Sequence, residues 1–202
     1  MRPFSAVLLA AGRSTRMGRD KALLAAPDGA PMWQYQRDTL ARAGAAEIFL
    51  SARPEQEWVP AAQTGFSAVL HDGLSLGGPM VGITAALERA SHPHVAVLAI
   101  DLPRMEPAWF AGLLAGCAPG VGCVGRRADG HEGEKFFEPL AAIYPRELKW
   151  LAWEALVRAE FSLQNLLAAA VAQGAMRVRE IGADEAAWFE NWNEPAPLPR
   201  RE

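Results

Sequence analysis

The sequence predicts an α/β fold in which a mostly parallel sheet carries helices on both faces. Short, continuously apolar runs that end at glycine or aspartate recur along the chain, which is typical of strands buried on both faces. Segments with helical spacing alternate with these runs. Such β-α-β alternation implies parallel strands joined by right-handed crossovers.

The first half of the chain alternates most regularly. The run at 94–101 is the clearest buried strand, and it ends on the carboxylate Asp101. Pro31 can sit in the first turn of the first helix, and Gly44 can end that helix. Strands are predicted at 4–12, 47–53, 67–72 and 94–101, and helices at 31–44 and 80–90.

The second half is predicted to add both helices and strands. Pro139 lies in an extended segment and favours an edge position or a bend, because proline cannot donate to a sheet ladder. Ser162 is a plausible helix N-cap, and Gly174 a plausible residue just after that helix. Helices are predicted at 107–117, 146–159 and 162–173, and extended segments at 120–127, 135–145 and 176–182.

Four tryptophans fall within predicted helices and are expected to be core or interface residues. They are Trp33, Trp109, Trp150 and Trp153. The two cysteines, Cys117 and Cys123, show neither C-x-x-C nor zinc-finger spacing, and they are expected to be buried apolar residues.

Length and composition predict one domain, at 1–194, followed by a Pro-rich tail at 195–202 that is expected to fray. A net charge of −3 gives no hint of nucleic-acid binding, so an anion site would have to be local. No run approaches the length of a membrane span. The apolar N-terminal run leads into arginines rather than a cleavage site, and we interpret it as the first strand. With few cysteines, a cytoplasmic location is expected.

The stretch "LLAAGRSTRMGRDKALL" places four cations directly after the first predicted strand. Arg13, Arg16, Arg19 and Lys21 lie within nine residues, close to Gly12 and Gly18. The spacing matches neither a Walker A loop nor the dinucleotide fingerprint. Glycines nevertheless let backbone N–H groups approach an anion that Arg16 and Lys21 could neutralise. A solvated basic turn explains the same residues.

Two aspartates end predicted strands at the edge where open α/β sheets bind ligands. Asp101 follows the clearest strand and could hold Mg²⁺, or it could cap the next turn. Asp72 ends another strand and could be a plain turn residue. Gly78 and Pro79 close the glycine-rich loop behind it, and such a loop leaves backbone N–H groups free for a ligand.

Five segments, in order along the chain, resemble motifs of the MobA-like nucleotidyltransferases. They are "LAAGRSTRMGRDKALL", "GGPMVGI", "AIDLP", "EPLAAIYP" and "FENWNEP". The resemblance implies a three-layer α/β/α, Rossmann-like fold of the nucleotide-diphospho-sugar transferase type. It also implies a nucleotidyltransferase that joins GMP from GTP to molybdopterin and releases pyrophosphate.

The resemblance also implies roles for individual residues. Lys21, Arg16 and Asp101 would be catalytic, with Asp101 holding Mg²⁺. Asn191 and Asn193 would lie near the acceptor, and no nucleic acid or membrane partner is implied. A monomer or weak homo-oligomer is expected. The nucleotide would contact Leu9, Ala10, Ala11, Gly12, Arg16, Lys21, Asp72, Gly78, Pro79 and Asp101.

Two departures from the motifs leave the substrates open. Ala11 stands where guanylyltransferases usually have glycine, and the alanine form is common in cytidylyltransferase relatives, so CTP is an alternative to GTP. "NWNEPAPL" replaces the usual ending, which leaves the acceptor open. The same residues are also compatible with a transferase that makes a nucleotide sugar or alcohol, with a non-catalytic nucleotide-binding protein, and with a purely structural α/β domain.

Overall fold

The computed structural model describes residues 3–12, 20–62, 65–71, 78–127 and 137–192. These residues form a three-layer arrangement, a seven-stranded sheet with helices on both faces. The strands are β1 (Ser5–Leu9), β2 (Glu47–Ala52), β3 (Ala68–His71), β4 (His94–Ala99), β5 (Gly122–Arg126), β6 (Ala141–Pro145) and β7 (Met176–Glu180). The helices are α1 (Met32–Arg42), α2 (Val59–Ala62), α3 (Pro79–Arg89), α4 (Pro107–Gly116), α5 (Lys149–Val157) and α6 (Leu163–Ala172).

The order of the strands creates a crevice at one edge of the sheet. The order is β3-β2-β1-β4-β6-β5-β7, and β1 lies parallel to both β2 and β4. The chain therefore runs outward from β1 to β3 and then returns to the other side of β1. Ligands of open α/β sheets bind outside the carboxyl ends of the strands at such a reversal. The predicted, mostly parallel α/β fold is confirmed.

Of the two alternatives predicted for the segment around Pro139, the bend is correct and the edge position is not. Strand β6 lies between β4 and β5 and is antiparallel to both. Pro139 precedes the strand, in a turn where its carbonyl accepts a hydrogen bond of 2.8 Å from the Tyr144 hydroxyl. The proline therefore removes no hydrogen bond from the sheet and places no limit on the position of β6.

Successive side chains of β1 point to opposite faces of the sheet and belong to two separate parts of the core. Ala6 and Leu8 face a cluster that includes side chains of α1 and α4. Val7 and Leu9 face a cluster that includes side chains of α3, α5 and α6. Since the side chains of a strand alternate between faces, a continuously apolar run is what a strand covered on both sides requires.

The predicted caps of α3, α4 and α6 agree with the structure, whereas Pro31 is the N-cap residue before α1 and not part of its first turn. Pro79 and Pro107 occupy the first turns of α3 and α4, where a missing N–H costs nothing. The Ser162 hydroxyl accepts a hydrogen bond from the Asn165 N–H and caps α6. Gly174 follows α6 with a φ of +75°, in the left-handed region that glycine adopts without strain.

The four tryptophans that are expected at a core or an interface divide into two groups. Trp109 is fully buried in α4, and Trp33 is partly buried against the core. Trp150 and Trp153 are 69% and 51% exposed, so neither is a core residue. Both lie on the outer face of α5, whose inner face is fixed by Ala152.

Among the described residues, no helix combines the length and the apolar character needed to cross a bilayer. Cys123 is buried, as predicted, whereas Cys117 is half-buried.

Candidate active site

An ion pair marks the crevice between the carboxyl ends of β1 and β4. The Lys21 Nζ lies 3.1 Å from the Asp101 Oδ2, although the two residues are 80 positions apart in the chain. Their side chains are 19% and 27% exposed, so both groups remain accessible from the crevice. Both residues are predicted to follow strands that end at this edge, and the structure brings them into contact.

The backbone around Asp101 is fixed on several sides. The Ile100 N–H donates to the Leu9 carbonyl at 3.1 Å, which ties the residue before Asp101 to the end of β1. The Asp101 carbonyl accepts from the Trp192 N–H at 2.9 Å. The buried Gln36 side chain donates to the Leu102 carbonyl at 2.6 Å. The carboxylate therefore projects from a rigid turn.

Lys21 is placed by the residue before it. Asp20 caps a short 3-10 helix, Lys21–Leu23, and its Oδ1 accepts a hydrogen bond of 3.0 Å from the Ala22 N–H. Ala22 is fully buried, so the helix is also held by packing. The cap and the buried alanine fix the backbone from which the Lys21 side chain extends.

A second segment, which we call the 53–58 clamp (Arg53, Gln56 and Trp58), holds Asp20 from the other side. The Asp20 Oδ2 accepts hydrogen bonds of 2.6 Å from the Gln56 Nε2 and 2.8 Å from the Trp58 Nε1. Hydrogen bonds to a charged acceptor are stronger than those between neutral groups. The clamp therefore fixes the chain immediately before Lys21.

The same clamp also holds the end of β1. The Gln56 Nε2 donates to the Ala10 carbonyl at 3.0 Å, and Gln56 itself is only 4% exposed. The Arg53 guanidinium donates to the Gly12 carbonyl at 2.8 Å and also to the Ala11 carbonyl. Hydrogen bonds from one short segment thus reach both Ala10–Gly12 and Asp20, which bracket residues 13–19 in sequence.

The predicted nucleotide-binding residues at the end of β1 fall into two classes. The side chains of Leu9 and Ala10 are buried in the sheet, so only their backbone atoms could reach a ligand. Ala11 is half-buried and Gly12 is exposed, and both border the crevice.

Gly78 and Pro79 lie at the start of α3, and both are exposed. The φ of Gly78 is +55°, which a side chain would strain. Helix α3 follows β3 in the chain and packs against β1, so its first turn lies at the same edge of the sheet as the crevice. The unpaired N–H groups of a helix start favour an anion.

Several predicted site residues lie outside the described residues, namely Arg16, Asp72 and Asn193. Asn191 is described and exposed. It directly precedes Trp192, whose N–H donates to the Asp101 carbonyl. Asn191 is therefore the sequence neighbour of a residue that is hydrogen-bonded at the crevice. The structure therefore brings the described part of the C-terminal motif, up to Trp192, to the same edge as Asp101.

Sequence reasoning missed the clamp and Asp20. Arg53 was included only as the end of a predicted strand, and Gln56 and Trp58 belong to no recognised motif. The one available signal was Asp20 immediately before Lys21, because aspartate is a favoured N-cap residue.

The side chains at this site could hold a hard divalent cation only together with oxygen atoms of a bound substrate. Across the described part of the chain, no group of three or more His, Cys, Asp or Glu side chains could hold a metal by itself. Asp101 offers a partly exposed carboxylate. Magnesium is usually held by one or two carboxylates together with substrate phosphates, and a single carboxylate beside an anion-binding edge suits that mode.

Residues 6–184 match the family model of the MobA-like NTP transferase domain. The chain belongs to this family. As a MobA-like NTP transferase it is a nucleotidyltransferase, and the crevice that holds Lys21 and Asp101 is its candidate active site.

Known proteins resemble this MobA-like NTP transferase over nearly its whole length. A probable molybdenum cofactor guanylyltransferase from Opitutus terrae is 40% identical over 196 residues, which are 96% of this chain and 92% of that protein. The crystal structure of molybdopterin-guanine dinucleotide biosynthesis protein A from Archaeoglobus fulgidus superposes with a TM-score of 0.71 at 18% identity, covering 95% of this chain and 93% of that one.

A third match is a manganese complex of Rv0371c from Mycobacterium tuberculosis, with a TM-score of 0.56 and 23% identity over 89% of this chain and 88% of that one. At these identities the two structural matches establish the shared fold.

Proposed function

We propose that this chain transfers GMP from GTP to molybdopterin and releases pyrophosphate. The observation that carries the proposal is the Lys21–Asp101 pair of 3.1 Å at the switch point of the sheet, in a chain 40% identical to a probable molybdenum cofactor guanylyltransferase. A cation held beside a carboxylate that follows a central strand can neutralise phosphate charge and hold a metal ion, as nucleotidyl transfer requires.

In the proposed reaction a terminal phosphate oxygen of molybdopterin attacks the α-phosphorus of GTP. A new P–O bond forms, the bond from the α-phosphorus to the bridging oxygen breaks, and pyrophosphate leaves with the electron pair. The attacking phosphate is already ionised near neutral pH, so the reaction needs no strong general base. Catalysis then depends on positioning and charge neutralisation.

Each side chain has a defined part in this mechanism. Lys21 offsets negative charge that builds on the departing pyrophosphate, and Arg16 is assigned the same role from the sequence. Asp101 would hold a divalent cation, with Mg²⁺ as the expected ion, and the manganese complex of a structural neighbour supports a divalent site. Bound there, the ion would polarise the α-phosphate as a Lewis acid. Ala11, Gly12, Gly78 and Pro79 would border the nucleotide, and Asn191 and Asn193 the acceptor.

CTP is the second candidate donor, and Ala11 favours it. Ala11 is half-buried at the end of β1, where guanylyltransferases usually carry glycine. Its carbonyl accepts a hydrogen bond from Arg53, so the backbone at this position is fixed. A fixed methyl group can alter the space available to a base, and the choice between GTP and CTP therefore needs direct measurement.

Calorimetric titration with GTP, CTP, ATP and UTP in Mg²⁺ tests the nucleotide assignment. We expect GTP to bind most tightly, and Lys21→Ala to weaken the binding. In turnover assays, Lys21→Ala should lose about two or more orders of magnitude, the scale of a preorganised electrostatic group. Asp101→Asn should abolish Mg²⁺-dependent turnover while leaving the melting temperature near that of the wild type.

Arg89→Ala is a matched control, since Arg89 is an exposed cation at the far end of α3. It should leave binding and turnover unchanged. A loss of only a few-fold for Lys21→Ala, or near-normal activity for Asp101→Asn, would contradict the assigned roles.

A further inference from the structure

Exposed apolar side chains are concentrated on one helix. Among the described residues, the exposed large hydrophobics are Leu23 and four others that all lie in α5 or just after it. Those four form what we call the α5 stripe, and their exposed fractions are 69% for Trp150, 51% for Trp153, 69% for Val157 and 38% for Phe161. Large apolar patches on otherwise polar surfaces mark interaction sites.

The stripe is a surface feature of a well-packed helix and not a result of poor packing. The opposite side of α5 is anchored by Ala152, which is fully buried, and Leu148 just before the helix is 4% exposed. The helix packs against α3 and α6. The outward tryptophans are therefore held in place by the fold itself.

The spacing within the stripe is that of a helix-pairing seam. Trp150, Trp153 and Val157 are separated by three and then four positions, which places them along one side of the helix. In coiled-coil terms they occupy successive a, d and a positions. This spacing suits a second helix packed alongside better than a pocket for a small molecule.

Charges of opposite sign flank the stripe. The Lys149 Nζ lies 4.9 Å from the centroid of the Trp150 ring, at one border of the stripe. Glu154 lies on the other border, where it pairs with Arg158 at 3.8 Å. At 100° per residue, Lys149 and Glu154 fall on opposite sides of the line through Trp150 and Val157.

We propose that the α5 stripe is the interface of a homodimer in which the α5 helices of two copies pack in parallel. A two-fold axis that runs parallel to the two α5 helices brings the Lys149 border of one copy against the Glu154 border of the other copy. Lys149 of each copy then faces Glu154 of the other copy, in the manner of the charged positions that flank a coiled-coil seam. In an antiparallel pair like borders would meet, and Lys149 would face the lysine border of the second copy.

The area of the stripe is adequate for such a dimer. Taking about 250 Å² for a whole tryptophan, the exposed parts of the four side chains amount to roughly 450 Å² per copy. Two copies would remove about 900 Å² from water through these residues alone, and the stems of the flanking charged side chains add to it. A specific interface needs about 1,000 Å² in total. The stripe thus supplies most of a small, self-complementary interface.

Sedimentation velocity between about 1 and 200 µM tests the proposal, a range suited to the modest affinity of a small interface. We expect a reversible monomer–dimer equilibrium in the wild type and a dissociation constant raised at least about tenfold by Trp153→Ser. Leu23→Ser, at the other exposed large hydrophobic, is the matched control and should leave the equilibrium unchanged. Melting curves verify that each variant is folded.

The orientation is tested by mixing two charge variants. Lys149→Glu and Glu154→Lys should each dimerise more weakly alone, because like charges then meet across the seam. Mixed together they should form a heterodimer as stable as the wild type, since both cross-seam pairs are again of opposite sign. A wild type that stays monomeric throughout, or an unchanged equilibrium in Trp153→Ser, overturns the interface. In an antiparallel pair the single variants would dimerise as well as the wild type and their mixture more tightly than it, so either result overturns the parallel arrangement. A mixture that associates no better than its components overturns the charge pairing itself.

Discussion

Replacement of Gln56 by leucine tests the role of the 53–58 clamp. The Gln56 side chain donates to the Ala10 carbonyl at 3.0 Å and to the Asp20 carboxylate at 2.6 Å, and its Oε1 accepts from the Arg53 N–H at 2.7 Å. Leucine removes all three contacts inside a site that is 4% exposed. Each net hydrogen bond stabilises by about 1 kcal/mol, and one to a charged group by about 1.5–3 kcal/mol. We therefore expect the free energy of unfolding to fall by about 3.5–5 kcal/mol.

Gln36→Leu provides the matched comparison. Gln36 is also fully buried but donates one hydrogen bond, to the Leu102 carbonyl, and its Oε1 has no partner among the described residues. Its replacement should cost about 1 kcal/mol or less, because one contact is lost while a buried unpaired oxygen is removed. Urea unfolding followed by tryptophan fluorescence measures both variants. Equal losses for the two would refute the clamp, since they would show that Gln56 stabilises only as a buried side chain.

Gln56→Glu separates the hydrogen bonds from side-chain volume. The substitution keeps the shape but places a second carboxylate where the amide now lies, 2.6 Å from the Asp20 oxygen. At pH 7 the variant should be strongly destabilised. The two carboxylates can share a proton in the folded state, which raises the pKa of the pair, so the deficit should shrink as the pH falls from 7 towards about 4, the ordinary range of a carboxyl pKa. A deficit that does not change with pH would contradict this explanation.

Three further predictions concern packing and titration. Gly82→Ala should destabilise by about 1–3 kcal/mol, since the new Cβ would overlap the Ser51 Oγ, and Ser51→Ala should partly rescue it in urea unfolding. Partial burial raises the pKa of Glu47, but hydrogen bonds from Ser5 and Ser91 outweigh it and hold the pKa below 4.5. The wild type should therefore lose more thermal stability than Glu47→Gln as the pH falls below that value, whereas equal losses would contradict the assignment. Burial raises the pKa of the Cys117 thiol to about 12, so iodoacetamide at pH 8 should label it far more slowly in the folded than in the unfolded protein; equal rates would argue against burial as the cause.

Local signals were enough to predict the strands that position the site. The buried runs at Ser5–Leu9 and His94–Ala99 are apolar on both faces, and each is followed by residues that end a strand. Given a parallel sheet, topology alone places their carboxyl ends together. Lys21 lies in the chain segment that follows the first of these strands, and in the structure its side chain contacts Asp101, which follows the second.

The clamp could not be predicted because its hydrogen bonds join residues that are far apart in the sequence. Gln56 and Asp20 are 36 positions apart, and neither belongs to a periodic apolar pattern that would reveal a shared environment. The exposure of Trp150 and Trp153 could not be predicted for another reason. Their spacing defines an apolar helix face, but the same face serves a core or an interface equally well.

The identity of the product tests the central claim most directly. The chain is incubated with molybdopterin, Mg²⁺ and equal concentrations of GTP and CTP, and the products are resolved by liquid chromatography and mass spectrometry. We expect a product with the mass of molybdopterin joined to GMP, one pyrophosphate for each product formed, and neither in Asp101→Asn. A product carrying CMP would contradict the choice of base, and the absence of any nucleotide adduct would contradict the proposed transfer itself.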